Sequence, residues 1–391
     1  MRLSIIAAAL PLALAAPAAD MAPLMVPRDA QTIDGKYIVK FKDSSTIGGM
    51  EAAQATVGEV QHVYQDVFNG FSAQMTADQV TELRKDPNVE FIEHDSVVSI
   101  NNNNIVEQKG ATWGLARIST RALGATSYFY DHTAGSGACV VVVDTGIAWK
   151  HPEFEGRARQ LKSVLDGTVG ADGHGHGTHC AGTVGSKTWG VAKKATLLGV
   201  KVLDDRGFGS AGTVIAGLNF VLTDISGKIN CPRGIVVSLS LGGARSSSLN
   251  AAAAALHRKG IAVVVAAGNA NVDACNVSPA SEPSACAVGA TTRVDARAYF
   301  SNYGPCVDVH APGVEITSTW LNGGTNTISG TSMAAPHVAG IAAGLMANGV
   351  VNGQGACEYI KGLSTKNIVT NLPANTINSL AFSASFRASG N

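Results

Sequence analysis

The chain has 391 residues, and its 29 Lys and Arg balance 29 Asp and Glu. That balance leaves no net field to recruit nucleic acid or an anionic membrane. Charged residues make up 15% of the chain, below the ~25% of ordinary globular proteins, so electrostatic steering is not expected to choose the partner. The length suits about two or three domains around a large core.

At the N-terminus, Arg2 precedes the apolar run LSIIAAALPLALA, and Ala13-Leu14-Ala15 offers a small-x-small cleavage site. This is the pattern of a secretory signal over residues 1–15. The run is too short for a comfortable membrane span, and Pro11 and Pro17 interrupt it. The expectation is a protein that is exported, outside the cell or into a vacuole, and has no membrane anchor. Export permits disulfides. The seven cysteines are an odd number, which leaves at least one free or paired between chains.

Residues 16 to about 34, rich in Ala, Pro and Met, read as a loose leader. KYIVKF alternates as a half-buried strand does, and TADQVTELRKDPN reads as a short helix capped by Thr76. VEFIEHDSVVSI alternates again. Together they predict a small α+β module over about residues 36–100, with no Cys and no catalytic cluster. The polar run Asn101 to Asn104 is expected to be exposed and cleavable. It is either an ordinary linker or the end of a removable pro-segment over residues 16–105, and the signal before it favours the second.

From residue 106 to 391 the pattern becomes alternating β and α. ACVVVVD, GIVVSLSLGG and IAVVVAAGN are continuous apolar runs, as strands covered on both faces require. SAGTVIAGLNFVLTD and SLNAAAAALHRKG read as helices, the second with Ser248 as N-cap and Gly260 just past its end. The order predicts an α/β domain of three layers, a mostly parallel sheet between helices, with sites at the carboxyl ends of strands.

Three residues fall at such ends. Asp144 closes VVVVD, where a carboxylate needs a polar or cationic partner. His176 opens a helix in HGTHCAGTVG, with Cys180 one turn behind it. Ser332 opens another in SGTSMAAPHVAG, where free N–H groups and the positive helix end lie near its hydroxyl. Alone, each has a plain reading as turn residue, loop histidine or N-cap. His174, His176 and His179 with Asp172 and Cys180 also suggest a metal cluster.

The strings VVDTGI, GHGTHCAGT and SGTSMAAPHVAG, in that order, resemble the catalytic motifs of the subtilisin-like serine proteases (subtilases). HPEFEGRA, GVKVLDD, SPASEPSACAVGA and FSNYG are similar to the proteinase K family. The resemblance spans about Trp113 to Ala381. It implies a secreted endopeptidase with Asp144, His176 and Ser332 as catalytic triad and Asn269 as side-chain donor to the oxyanion. It implies substrate segments around Gly207 and Phe208 and around Ser240, Leu241 and Gly242. Ala266, Ala267 and Gly268 would line an uncharged S1 pocket suited to apolar and aromatic residues of protein and peptide substrates.

The same resemblance implies one structural calcium, Ca2+, held by Asp308 and the carbonyls of Pro283 and Ala285, and no zinc, which would sequester His176. The positions of a weaker second calcium site fall on Arg121 and Ile368, whose side chains are not calcium ligands. Implied disulfides are Cys139–Cys231, Cys286–Cys357 and Cys275–Cys306, with Cys180 the free thiol beneath His176. Asn276 begins the one N-glycosylation sequon. The module at 36–100 resembles an inhibitor-like propeptide, which would assist folding, block the cleft and be released by self-cleavage between Ile100 and about Val106. The mature enzyme is expected to be a monomer.

Overall fold

The computed structural model describes residues 21–27, 32–96, 105–165 and 170–383. The signal segment and the Asn101 to Asn104 run lie outside them. The described residues fall into two compact units, divided after residue 100.

The first unit is a five-stranded sheet with two helices. Its strands lie in the order Leu24–Met25, Val89–Ser96, Thr32–Phe41, Gly70–Gln74, Val60–Tyr64. Alternation aims Val39, Phe41, Phe71 and Ala73, and a register irregularity lets Val89 join Ile92, in one cluster with Met50, Ala53, Val80 and Leu83 of the helices Ile47–Thr56 and Ala77–Leu83. Thr76 caps the second helix in a capping box with Gln79, which satisfies two orphan donors at once. The leader is less loose than its composition suggests. Leu24 and Met25 pair in parallel with Ile92 and Glu93, and Ala22 exchanges hydrogen bonds with Arg84. The strand Val89–Ser96 had an open edge, and the backbone of these leader residues satisfies it.

The second unit is built on a nine-stranded sheet. Its order is Thr365–Lys366, Ser379–Leu380, Val309–Pro312, Cys286–Thr291, Ala262–Ala266, Ile235–Leu239, Cys139–Asp144, Thr196–Lys201, Ala158–Ser163. All neighbours are parallel except the first two. Along the central strand Val140 and Val142 face one layer, with Cys180, Val184, Ala335 and Val338 of the helices His176–Gly185 and Thr331–Ala347. Val141 and Val143 face the other, with Val214, Leu218, Leu249 and Leu256 of the helices Ala211–Phe220 and Ser247–Arg258. This burial on both faces explains the unbroken valine run.

Two boundaries differ from expectation. The helix expected to start at Ser248 is capped by Ser246, whose side chain accepts from Leu249 N–H. Ser246 is also held by Ser278, a long-range contact that local pattern does not reveal. The predicted fifteen-residue helix at 210–224 ends as α at Phe220 and continues as a π turn, Val221–Ile225. From Cys139–Asp144 the chain first builds strands on one side, then reverses to Ile235–Leu239 on the other. Asp144 therefore stands at the topological switch point, where α/β sheets place their sites.

Candidate active site

Asp144 is fully buried at the end of the central strand. Its Oδ1 accepts from Thr145 N–H at 2.7 Å and from His176 Nδ1 at 2.8 Å. Close packing permits that second bond. A Cβ on Gly177 would lie 2.1 Å from the Gly146 carbonyl, so only glycine lets this helix start press against the strand end. Burial alone depresses the imidazole, but the Asp144 charge, the Cys180 sulfur and their hydrogen bonds outweigh it and hold His176 well above its ordinary pKa.

A second carboxylate ties the two segments together. Buried Asp172 accepts from Thr145 Oγ1, from the N–H groups of His174, Gly175 and Thr178, and from Thr178 Oγ1. It thus fixes the loop that aims His176 and is not a metal ligand. His179 turns away, with Nε2 against the carbonyls of Ile316 and Asn326. His174 stands edge-on to His176, ring centroids 6.2 Å apart. The three histidines thus do not converge. Among the described residues two titratable sets have metal-like spacing: Asp144, His176 and Cys180 here, and Asp308 with Cys286 and Cys357 elsewhere.

Ser332 is the second residue of the helix Thr331–Ala347. Its hydroxyl donates to the Ser240 carbonyl at 3.0 Å, while Ser240 Oγ donates to the Ser332 carbonyl at 2.9 Å. Cys180 is the free cysteine, fully buried between the two helices. Its Sγ is 3.4 Å from the Ser332 carbonyl and 4.0 Å from His176 Nδ1.

Asn269 has its orientation fixed by Thr331, whose N–H and Oγ1 both donate to Oδ1 at 2.8 Å. The amide nitrogen is left to point elsewhere. A Cβ built on Gly330 would lie 3.6 Å from both Asn269 Nδ2 and Ser332 N. Two N–H donors therefore converge beside the serine, and Thr331, which the sequence did not single out, sets one of them.

An open pocket of ≈ 440 Å³ adjoins them, lined by Leu241, Gly242, Gly243, Ala244, Ala266, Gly268, Val277 and Asn302 among others. Among the described residues, no charged side chain lines it. Ala267 does not belong to this wall. It is fully buried in the opposite core layer, because alternation along the strand sends its side chain to the far face. Ser240 acts through its carbonyl and hydroxyl on Ser332 and does not face the pocket. Gly207 and Phe208 sit on a turn held by Asp204, whose Oδ1 accepts from Phe208 N–H. Phe208 is 72% exposed, and Gly207 lies beside His174.

The sulfurs join as Cys139–Cys231, Cys275–Cys306 and Cys286–Cys357, with Cα separations of 5.5, 5.3 and 5.5 Å. Asn276 is exposed, and the hydroxyl of the sequon's Ser278 is buried against Ser246. At the expected calcium position, Asp308 Oδ2 accepts from Ala287 N–H at 2.9 Å, and Oδ1 is 3.3 Å from the Lys361 ammonium. Asp308 thus meets a backbone N–H and an ammonium, where calcium would need an all-oxygen set with the carbonyls of Pro283 and Ala285.

Comparison with known proteins agrees with this geometry. Residues 135–377 match the subtilase family, and residues 36–101 match the peptidase inhibitor I9 family. The chain is 57% identical to an alkaline serine protease, ver112, of Corniculantispora psalliotae, over 98% of this chain and 99% of that one. It is 51% identical to a cuticle-degrading protease of Metarhizium anisopliae and 50% to proteinase R of Parengyodontium album, each over 98% of this chain and 99% of the relative. Among solved structures, a cold-adapted subtilisin-like serine proteinase is similar with a TM-score of 0.66 and 40% identity, over 70% of this chain and 99% of that one. The chain belongs to the subtilase family, as a serine endopeptidase preceded by an I9 inhibitor domain.

Proposed function

We propose that the protein is a secreted endopeptidase of broad specificity, made as a zymogen that processes itself, and that Asp144, His176 and Ser332 form its triad. The observation that carries this reading is the placement of the Asp144–His176 pair and the Ser332 helix start around buried Cys180, at the mouth of an uncharged pocket.

A serine hydroxyl attacks only when a base removes its proton. Here Ser332 Oγ leaves the Ser240 carbonyl for His176 Nε2 as substrate enters, since resting enzymes often hold such bonds in a loosened form. His176 takes the proton, and Asp144 keeps Nδ1 protonated and stabilises the imidazolium. Oγ bonds to the peptide carbonyl carbon, and its oxyanion is met by Asn269 Nδ2 and Ser332 N–H. His176 then returns the proton to the leaving amine. Water repeats the sequence on the acyl-enzyme and frees Ser332.

Substrate backbone pairs as an added strand with Ser240 to Gly242 on one side and with Gly207 and Phe208 on the other. Such pairing binds many sequences alike. Selectivity then rests on the P1 side chain, and the neutral S1 wall of Leu241, Gly242, Ala266 and Gly268 favours apolar and aromatic residues. The signal-like residues 1–15 support export, and no helix among the described residues is long and apolar enough to cross a membrane.

Full-length expression of wild type and Ser332→Ala tests the reading. Wild type should yield a chain starting near Val106 that cleaves peptides after Phe, Leu and Ala. The variant should retain residues 16–105. A shortened Ser332→Ala chain, produced in a host lacking other proteases that cut there, would remove self-processing.

A further inference from the structure

Cys357 and Lys361 lie one turn apart on the helix Ala356–Leu363, hence on one face. Cys357 is bonded to Cys286, which begins the strand Cys286–Thr291. The next residue, Ala287, gives its N–H to Asp308 Oδ2. The disulfide therefore pins the helix so that the Lys361 ammonium lies over Asp308, 3.3 Å from Oδ1. Glu358, on the same helix, holds that ammonium from its other side at 2.7 Å.

We propose that Lys361 is a built-in cation, which supplies at Asp308 the charge that the resemblance to the proteinase K family assigns to calcium. Calcium takes about six to eight oxygens, and on Asp308 it would stand within a few ångströms of the ammonium, against like-charge repulsion. The two sulfurs near Asp308 offer nothing, being joined to each other. Fixing the site with a side chain makes its hold on the C-terminal helix independent of free calcium.

At the position that the resemblance gives to a second calcium, basic side chains again make the contacts. Arg121 donates to Thr365 Oγ1 and to the Leu363 carbonyl, both at 3.0 Å, and stacks on Phe382 at 4.1 Å. Lys366 in turn donates to the Lys361 carbonyl and to Ser379. Three basic side chains thus fasten residues 361–366.

The test uses protein made from the full chain and inactivated at its serine, so that autolysis does not enter. Thermal unfolding is followed in chelator and in millimolar calcium, alongside calorimetric titration with calcium. Wild type and Lys361→Arg should show the same Tm in both media and no binding heat. Lys361→Ala should lose roughly 2 °C or more in chelator and regain it with calcium, through a site that Asp308→Asn removes. Lys361→Met, which keeps the apolar stem, should behave alike and covers the case of an alanine variant that does not fold. A wild-type Tm that falls on chelation and recovers with calcium, with the response lost in Asp308→Asn, would overturn the proposal. So would Lys361→Ala and Lys361→Met variants indifferent to calcium.

Discussion

His176 Nδ1 lies 2.8 Å from Asp144 Oδ1, and Asp144 is fully buried while His176 keeps an exposed edge toward the cleft. The imidazole is thus oriented from inside the protein and reactive from outside. The same bond makes it a stronger base than a free histidine.

That raised pKa sets the pH dependence of activity. Protonated His176 cannot accept the Ser332 proton, so kcat/KM should climb as pH rises through a value above the ordinary ~6.5. Asp144→Asn removes the charge that outweighs burial. Its acid limb should move to lower pH, and kcat should fall by about 10⁴-fold. A pH–rate profile for both enzymes checks this, and an unmoved limb would contradict it.

Asn269→Ala removes one of two donors that converge beside Ser332, and Thr331 no longer has an oxygen to hold. Kcat should fall by about 10²–10³-fold with KM little changed, a range drawn from subtilisin. Thr331→Val should give a smaller loss of the same kind, since Asn269 keeps its amide but loses its orientation. Steady-state kinetics on one peptide substrate decide both.

The breadth of the S1 pocket rests on small residues. Ala266→Val adds two methyl groups to its wall. The ratio of kcat/KM for P1 Phe over P1 Ala should drop by about tenfold or more. An unchanged ratio would show that P1 does not occupy this cavity.

Three buried histidines outside the triad limit acid stability. His179, His310 and His337 are buried, and desolvation lowers each to about 4. In the unfolded chain they protonate near ~6.5. Between those values the unfolded state binds more protons, so stability falls as pH drops, by up to about 1.4 kcal/mol per pH unit for each. Calorimetry of the inactivated enzyme should show Tm falling from about pH 6.5 towards 4. A flat Tm would contradict the assignment.

The sequence carried most of the frame because the sheet is buried on both faces, which writes each strand as an apolar run. It carried the catalytic side chains because Asp144, His176 and Ser332 sit in long motifs at element ends. What it did not show were contacts made across the fold. Thr331 holds Asn269 over a separation of 62 residues, and the Ser240 carbonyl receives Ser332 over 92. Asp172, first read as one of several metal-type residues, organises the His176 loop. Ala267 was placed in the pocket by its neighbours, although strand alternation assigns it to the core. The Leu24–Met25 strand follows from an open sheet edge and not from its own composition. Lys361 had no local signal, since a lysine on a helix reads as solvated until the Cys286–Cys357 link places it over Asp308.

The most direct test of the account is covalent labelling with an organophosphorus reagent, followed by intact mass and peptide mapping. One adduct on Ser332, lost at low pH as His176 becomes protonated and abolished in His176→Ala, is the predicted result. A folded, mature chain that takes no adduct, or takes it elsewhere, would contradict the triad.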